Sequence, residues 1–193
     1  ARTCAKLWCL ALAVALSVAG APMALSQSLT VVDEREAEID TLMEELARPD
    51  LEPWESTETR LINLWSRSGS DTADLLLERG QVALDSEDYG LAVEHLPALT
   101  DHAPDFAEGW HARATAFYSM EEFGLALEEL ERALALNPRH FGALTGLGIV
   151  LEELGYTETA LTAMRMAEEL NPHRESIQQA IQRLQSELGE AAL

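Results

Sequence analysis

Cysteine occurs twice in this chain of 193 residues, at Cys4 and Cys9, and lysine once, at Lys6. Everything beyond Cys9 therefore lacks a thiol for a disulfide, a thiolate metal ligand or a nucleophile. Aromatic residues make up only 6% of the chain, and alanine and leucine dominate, which favours helices over a β sandwich. Positive charge is scarce as well: 13 Lys+Arg face 34 Asp+Glu, for a net charge of −21 and a pI near 4.4. So anionic a surface repels phosphate backbones, which excludes general nucleic-acid binding, and it disfavours a bare anionic bilayer.

What is present begins with a leader. Arg2 and Lys6 form a basic start, and Leu7 to Ala19 is apolar except for Ser17. Gly20 and Pro22 break the run, and Ala24-Leu25-Ser26 sets small residues at −3 and −1 of a cut before Gln27. That order of parts reads as a secretory signal peptide over 1–26. An Ala19-Gly20-Ala21 cut is less suited, because Pro22 follows it. The apolar run falls short of the roughly 20 residues that span a bilayer. Neither cysteine ends that run, which argues against a lipoprotein. The expected location is periplasmic or otherwise exported, with membrane anchoring by an uncleaved leader as the alternative. Beyond residue 26 the net charge is −23, distributed as −8 over 27–72, −14 over 73–172 and −1 over 173–193.

The remainder carries a 34-residue period. Pro104, Pro138 and Pro172 keep this step, as do Ala92, Ala126 and Ala160. Gly80, Ala114 and Gly148 form a third column, Leu99, Ala133 and Ala167 a fourth, and Leu76, Trp110 and Leu144 a fifth. A period of this length signals a solenoid of stacked helical hairpins. First helices are expected near 73–85, 107–119 and 141–154, and second helices near 89–102, 123–136 and 157–170. The small Gly/Ala/Gly column lets the two helices of a hairpin approach closely, and the Ala column completes that contact. Tyr89, Phe123 and Tyr156, near the turns, are expected to cap the apolar layer. Asn137-Pro138 and Asn171-Pro172 stop the second helices.

The segments Ala107 to Pro138 and Phe141 to Pro172 resemble the tetratricopeptide repeat family in their pattern of small and large positions. The resemblance covers about 100 of the 193 residues. It implies an all-α, right-handed superhelical solenoid of helix-turn-helix hairpins, with repeats at 73–106, 107–140 and 141–172. As a scaffold used for many purposes, the repeat does not itself name a function. The first repeat departs from the pattern. Pro97 should kink or shorten its second helix, Leu99 should widen the packing where later copies carry Ala133 and Ala167, and Ser70 replaces the preceding proline.

The flanks are also helical in pattern. Ile177, Ala180, Ile181, Leu184 and Leu188 form a stripe suited to a terminal capping helix over 173–193. Ile39, Leu42, Met43 and Leu46 form another, followed after Pro49 and Pro53 by Leu61, Ile62, Leu64 and Trp65. The 34-residue ruler places no small residues correctly there, so 27–72 reads as an acidic helical extension rather than a fourth repeat.

No catalytic, cofactor or metal constellation emerges. Of the five histidines, His95, His102, His111, His140 and His173, the first two are seven apart, but Pro97 lies between them and no Cys or HExxH accompanies them. Surface or capping roles fit better. The paired acids Glu44-Glu45, Glu121-Glu122, Glu128-Glu129, Glu152-Glu153 and Glu168-Glu169 splay around helices and read as solvated faces, not as carboxylates opposed across a pocket. Arg79 and Arg113, at matching places, are expected to run their stems along the helix interface toward carboxylates.

The resemblance further implies a concave, peptide-gripping groove. Carried over position by position, it comprises Leu77, Gln81 and Leu84 in the first unit, His111, Thr115 and Tyr118 in the second, and Thr145, Ile149 and Glu152 in the third. Asp74, Asp85, Glu108, Ser119, Gly142 and Glu153 flank these. The carboxylate-holding Lys and Asn of the family's chaperone-binding branch are missing from these positions. The expected partner is therefore a protein with a basic or amphipathic contact segment, with no small-molecule substrate evident. The leading reading is an exported, non-catalytic interaction adaptor. Its alternative is a structural or regulatory subunit of a larger envelope assembly, docking through 27–72.

Overall fold

The computed structural model describes residues 21–191, with side chains from residue 34 to residue 190. The leader expected over 1–26 lies outside the described residues as far as residue 20, and the backbone is helical from Ala21. The elements are α1 (Ala21–Leu46), α2 (Trp54–Trp65), α3 (Asp71–Asp85), α4 (Tyr89–His102), α5 (Ala107–Ser119), α6 (Phe123–Leu136), α7 (Phe141–Glu153), α8 (Thr157–Leu170) and α9 (Glu175–Ala191). There is no strand among the described residues, so the chain is all-helical as its composition requires. None of the described helices is long and apolar enough to cross a membrane. The segment up to Ala37 and the body Glu38–Leu193 form separate compact units.

Within the body, each helix from α3 to α9 packs on the next, and α3, α5 and α7 also adjoin one another. Large residues enter small positions. A Cβ on Gly80 would lie 2.4 Å from the Leu96 side chain, and one on Gly148 2.8 Å from Met164. Leu130 occupies the matching place in the middle repeat, opposite Ala114, which is 1% exposed. Ala92, Ala126 and Ala160 are fully buried, and the Gly/Ala/Gly column does close each hairpin.

The turns inside the hairpins repeat as well. Glu87, Glu121 and Gly155, spaced by 34, all have φ between 57° and 79°. The residue after each donates its N–H back to the preceding helix: Asp88 to Ala83, Glu122 to Phe117 and Tyr156 to Leu151, at 2.8–2.9 Å. These left-handed C-terminal caps satisfy carbonyls that the helix leaves open.

Three expectations for the first and last repeats are corrected. Pro97 does not shorten α4, which has 14 residues like α6 and α8. Two fully buried side chains beside it, Leu96 and Leu99, hold the helix in place. At about 1.5–3 kcal/mol each, their burial offsets a proline penalty of about 3 kcal/mol. Leu99 does not widen the seam either, because it faces Gly109, where a Cβ would lie 3.1 Å from it. Tyr156 caps no apolar layer: it is 59% exposed, whereas Tyr89 and Phe123 are half-buried. Ser70 acts as the N-cap of α3, accepting from the Ala73 N–H at 3.4 Å.

At the C-terminal end, Ile177, Ala180, Ile181 and Leu184 of α9 are buried against Leu144, Leu161 and Met164. At the other end, Ile39, Leu42, Met43 and Leu46 join Leu61 of α2 and Phe141 of α7 in one cluster, with Trp65 and Leu170 beside it. The stretch that follows the cis Glu52–Pro53 bond is therefore folded back onto the third repeat.

Candidate functional site on the concave face

Side chains of α5 and α7, with Leu130 of α6 behind them and Ile62 and Trp65 of α2 above, enclose a cavity of about 350 Å³. The lining is largely apolar and aromatic, with Glu108, His111, His140 and Arg174 as its charged or titratable members. Mostly apolar walls with a few fixed polar groups are what a binding pocket requires.

Five of the nine groove residues expected from the sequence line this cavity: His111, Thr115, Tyr118, Thr145 and Ile149. Gly142 joins them, and Glu108 forms part of the floor. The other four lie elsewhere. Leu77 is 2% exposed and belongs to the core of the first repeat, with Leu84 packed against that core. Gln81 is half-buried, and Glu152 is engaged by Arg183 through two contacts of 2.8 Å. Asp74 accepts from the Ser68 N–H at 2.8 Å and its hydroxyl at 2.6 Å, tying down the segment before α3. Asp74 and Glu152 thus serve the structure itself, and the cavity centres on α5 and α7.

The chemistry at the cavity floor was not legible in the sequence. His140 is the N-cap of α7: its Nδ1 accepts from the Ala143 N–H at 3.1 Å. The other ring nitrogen therefore carries the proton, and Nε2–H donates to Glu108 Oε2 at 2.7 Å. Glu108 and His140 are 8% and 4% exposed. Burial alone would push the Glu108 carboxyl up, but the His111 and His140 imidazoles more than offset this and hold it well below its ordinary value. Burial, with His111 nearby, pushes His140 down and keeps it neutral. The pair is a carboxylate clamped by a neutral imidazole, 32 residues and nearly one full repeat apart.

Glu108, His111 and His140 bring one ligand atom each within 4.8 Å of one another, the single group of this kind among the described residues. The backbone cap on His140 Nδ1 means that Nε2 is a donor, so a metal there would need a ring nitrogen that is already protonated. His111 Nδ1 lies 3.7 Å from Glu108 Oε1 and has no hydrogen-bond partner. As arranged, Glu108 and His140 form a hydrogen-bonded floor with His111 beside it, rather than a coordination sphere. The remaining histidines are dispersed: His102 meets Ser70 Oγ at 3.2 Å, His173 Nε2 lies 3.0 Å from the Leu46 carbonyl, and His95 is half-buried on α4.

Of the two matching arginines, Arg113 bonds Thr100 at 2.9 Å and Glu129 at 3.1 Å, and stacks over Trp110 and Phe117. Burial pushes the Glu129 carboxyl up against the pull of Arg113. Arg79 is exposed.

The fold and this inner face define a helical-repeat scaffold, and residues 111–175 match the model of the tetratricopeptide repeat family. A TPR repeat-containing protein of Rhizobium etli is 29% identical over 188 residues, covering 93% of this chain and 91% of that protein. The small glutamine-rich tetratricopeptide repeat-containing protein 2 of Mycosarcoma maydis is 25% identical over 109 residues, 56% of this chain and 31% of its own length. Among solved structures, the first TPR of Spaghetti (RPAP3) bound to the HSP90 peptide SRMEEVD superposes with a TM-score of 0.61 at 22% identity. The match covers 62% of this chain and 95% of that one. The Sgt2 TPR domain of Aspergillus fumigatus gives 0.61 at 19% identity, over 64% and 83% of the two chains. These structures share the fold with this chain.

Proposed function

We propose that this chain is an exported adaptor that binds a peptide or helix of an envelope protein on the concave face of α5 and α7 and performs no chemistry. The observation that carries the reading is the cavity itself, with apolar and aromatic walls and a fixed carboxylate at its floor. Scaffolds of the same fold, such as the RPAP3 domain bound to its HSP90 peptide and the yeast Sti1 domain in its pHsp70 complex, support peptide binding as the kind of role. The leader pattern over 1–26 supports export.

A photo-crosslinker placed at Thr115, which is exposed at the cavity, should capture an envelope protein in living cells. One placed at Leu125, exposed on α6 away from the cavity lining, should not. Equal capture from both positions, or capture from Leu125 alone, sinks the concave-face reading. The mass of the secreted form should correspond to a chain starting at Gln27; a secreted form that retains the Leu7–Ala19 run would sink cleavage after Ser26. If the protein is instead a structural subunit docking through 27–72, deleting those residues abolishes incorporation while crosslinks from Thr115 remain absent throughout.

A further inference from the structure

We propose that α2 is a built-in occupant of the concave face, and that a partner enters by displacing it with an amphipathic helix of the same chemistry, aromatic at both ends with a carboxylate between. The proposal rests on the reading of that face as the docking surface, and adds what covers it and what can uncover it.

Trp54, Glu58, Leu61 and Trp65 stand at i, i+4, i+7 and i+11 of α2, one stripe of a helix. Each member has a receptor on the third repeat or just beyond it. Trp65 stacks on His140 with ring centroids 4.8 Å apart and meets Phe141 at 5.3 Å. Trp54 lies parallel to His173 at 5.5 Å. Leu61 is fully buried in the cluster with Phe141. Glu58, 7% exposed, accepts from Asn171 Nδ2 at 2.7 Å and from Arg174 Nε at 2.6 Å. The last turns of α1 brace the arrangement through Asp40 and Arg139 at 2.7 Å.

Two features mark α2 as replaceable. Consecutive repeat helices approach backbone to backbone, whereas α2 meets the repeats through side chains: buried Leu61 against Phe141, the stacked tryptophans and the polar grip on Glu58. It also leaves the cavity of about 350 Å³ unfilled beneath Ile62 and Trp65. A helix with bulkier side chains at these positions would remove from water apolar wall that α2 leaves uncovered. Charge points the same way. Arg174 is engaged by Glu58 of α2, whereas Arg139 keeps Asp40 of α1, so an entering helix must bring one carboxylate of its own to replace Glu58.

The test uses the full chain and a fluorescein-labelled synthetic peptide of residues 54–65. Glu58→Arg sets like charge against Arg174 and weakens the built-in helix while leaving its receptor intact. The peptide, which keeps Glu58, should bind this variant about tenfold or more tightly than the unaltered chain, since affinity scales with the fraction of uncovered groove. Adding Arg174→Glu should abolish the gain. Equal peptide affinity for the unaltered chain and a folded Glu58→Arg variant overturns the proposal. If that variant fails to fold, native-state hydrogen exchange on the unaltered chain decides. The α2 amides should exchange about tenfold or more faster than those of α5 to α8, because a displaceable element opens without global unfolding. Equal protection overturns the proposal. Crosslinking from Thr115 reports separately on whether the face binds a partner at all.

Discussion

The first and last seams of the array solve one packing problem in opposite ways. Between α4 and α5 the large residue is Leu99 and the small one Gly109; between α8 and α9, two repeats further along the same columns, the small residue is Ala167 and the large one Ile177. The middle seam has Ala133 and Ala143, both fully buried. Volume is handed from one side of the seam to the other along the array. A seam is therefore specified by a pair of residues, and a column read alone misjudges it. The departure of Leu99 from its column is half of a compensated exchange.

The comparison can be broken most sharply at Leu99. Leu99→Ala should destabilise the protein by about 2–5 kcal/mol by opening a cavity, and adding Gly109→Ala should recover part of that loss. Urea denaturation of the single and double variants measures both. If the double variant is no more stable than the single, the exchange is not pairwise. The hairpin interiors offer a second contrast. Gly80→Ala should cost about 1–3 kcal/mol, because the added methyl meets the buried, branched Leu96, while Gly148→Ala should cost less against the unbranched, adaptable Met164. Thermal melts of the two variants should rank in that order.

A third prediction contrasts the floor of the site with the seams. His140 is held neutral when folded, so below its ordinary value near 6.5 the unfolded chain binds a proton that the folded chain does not. Stability should be full above that pH and fall as the pH drops, by about 1.4 kcal/mol per pH unit. Glu108, held low in the folded state, adds a further loss below its ordinary value of 4.5. Glu129, pushed up, acts in the opposite sense and makes the net decline shallower. Glu108→Gln should remove the low-pH limb; an unchanged pH profile would refute the clamp. The smallest effect is expected at the hairpin turns, where Gly155 occupies a conformation that Glu87 and Glu121 adopt under strain. Glu121→Gly should stabilise by about 0.5–1 kcal/mol, the relief of a left-handed side chain less the added entropy of glycine, and calorimetry should register a rise in melting temperature of a few degrees.

The repeat period made the hairpins, their order and their small-residue contacts legible. Helices α4 to α6 and α8 fall where the columns place them, because a strict spacing of small and large residues admits one pairing of helical faces. Half of the candidate site was legible for the same reason. His111, Thr115, Tyr118, Thr145 and Ile149 follow from the inner face of the first helices, whereas Leu77 and Glu152 were drawn away by burial and by Arg183. One signal for the site floor was available: Glu108 and His140 lie close to one repeat apart, at the start of neighbouring first helices.

Local periodicity accounts for the all-helical class, the 34-residue unit and the capped C-terminal end. Only the tertiary structure decided that Leu99 answers Gly109, that His140 clamps Glu108, and that α2 folds back over the third repeat to bury Glu58 against Asn171 and Arg174. Those pairings join residues 10 to 116 positions apart, and burial and hydrogen-bond geometry select them among the many that such separations allow. The acidic charge, with almost no lysine to offset it, sets the expectation of a protein partner rather than nucleic acid. The folded chain shows where the few arginines that remain are spent: largely on holding its own carboxylates in place.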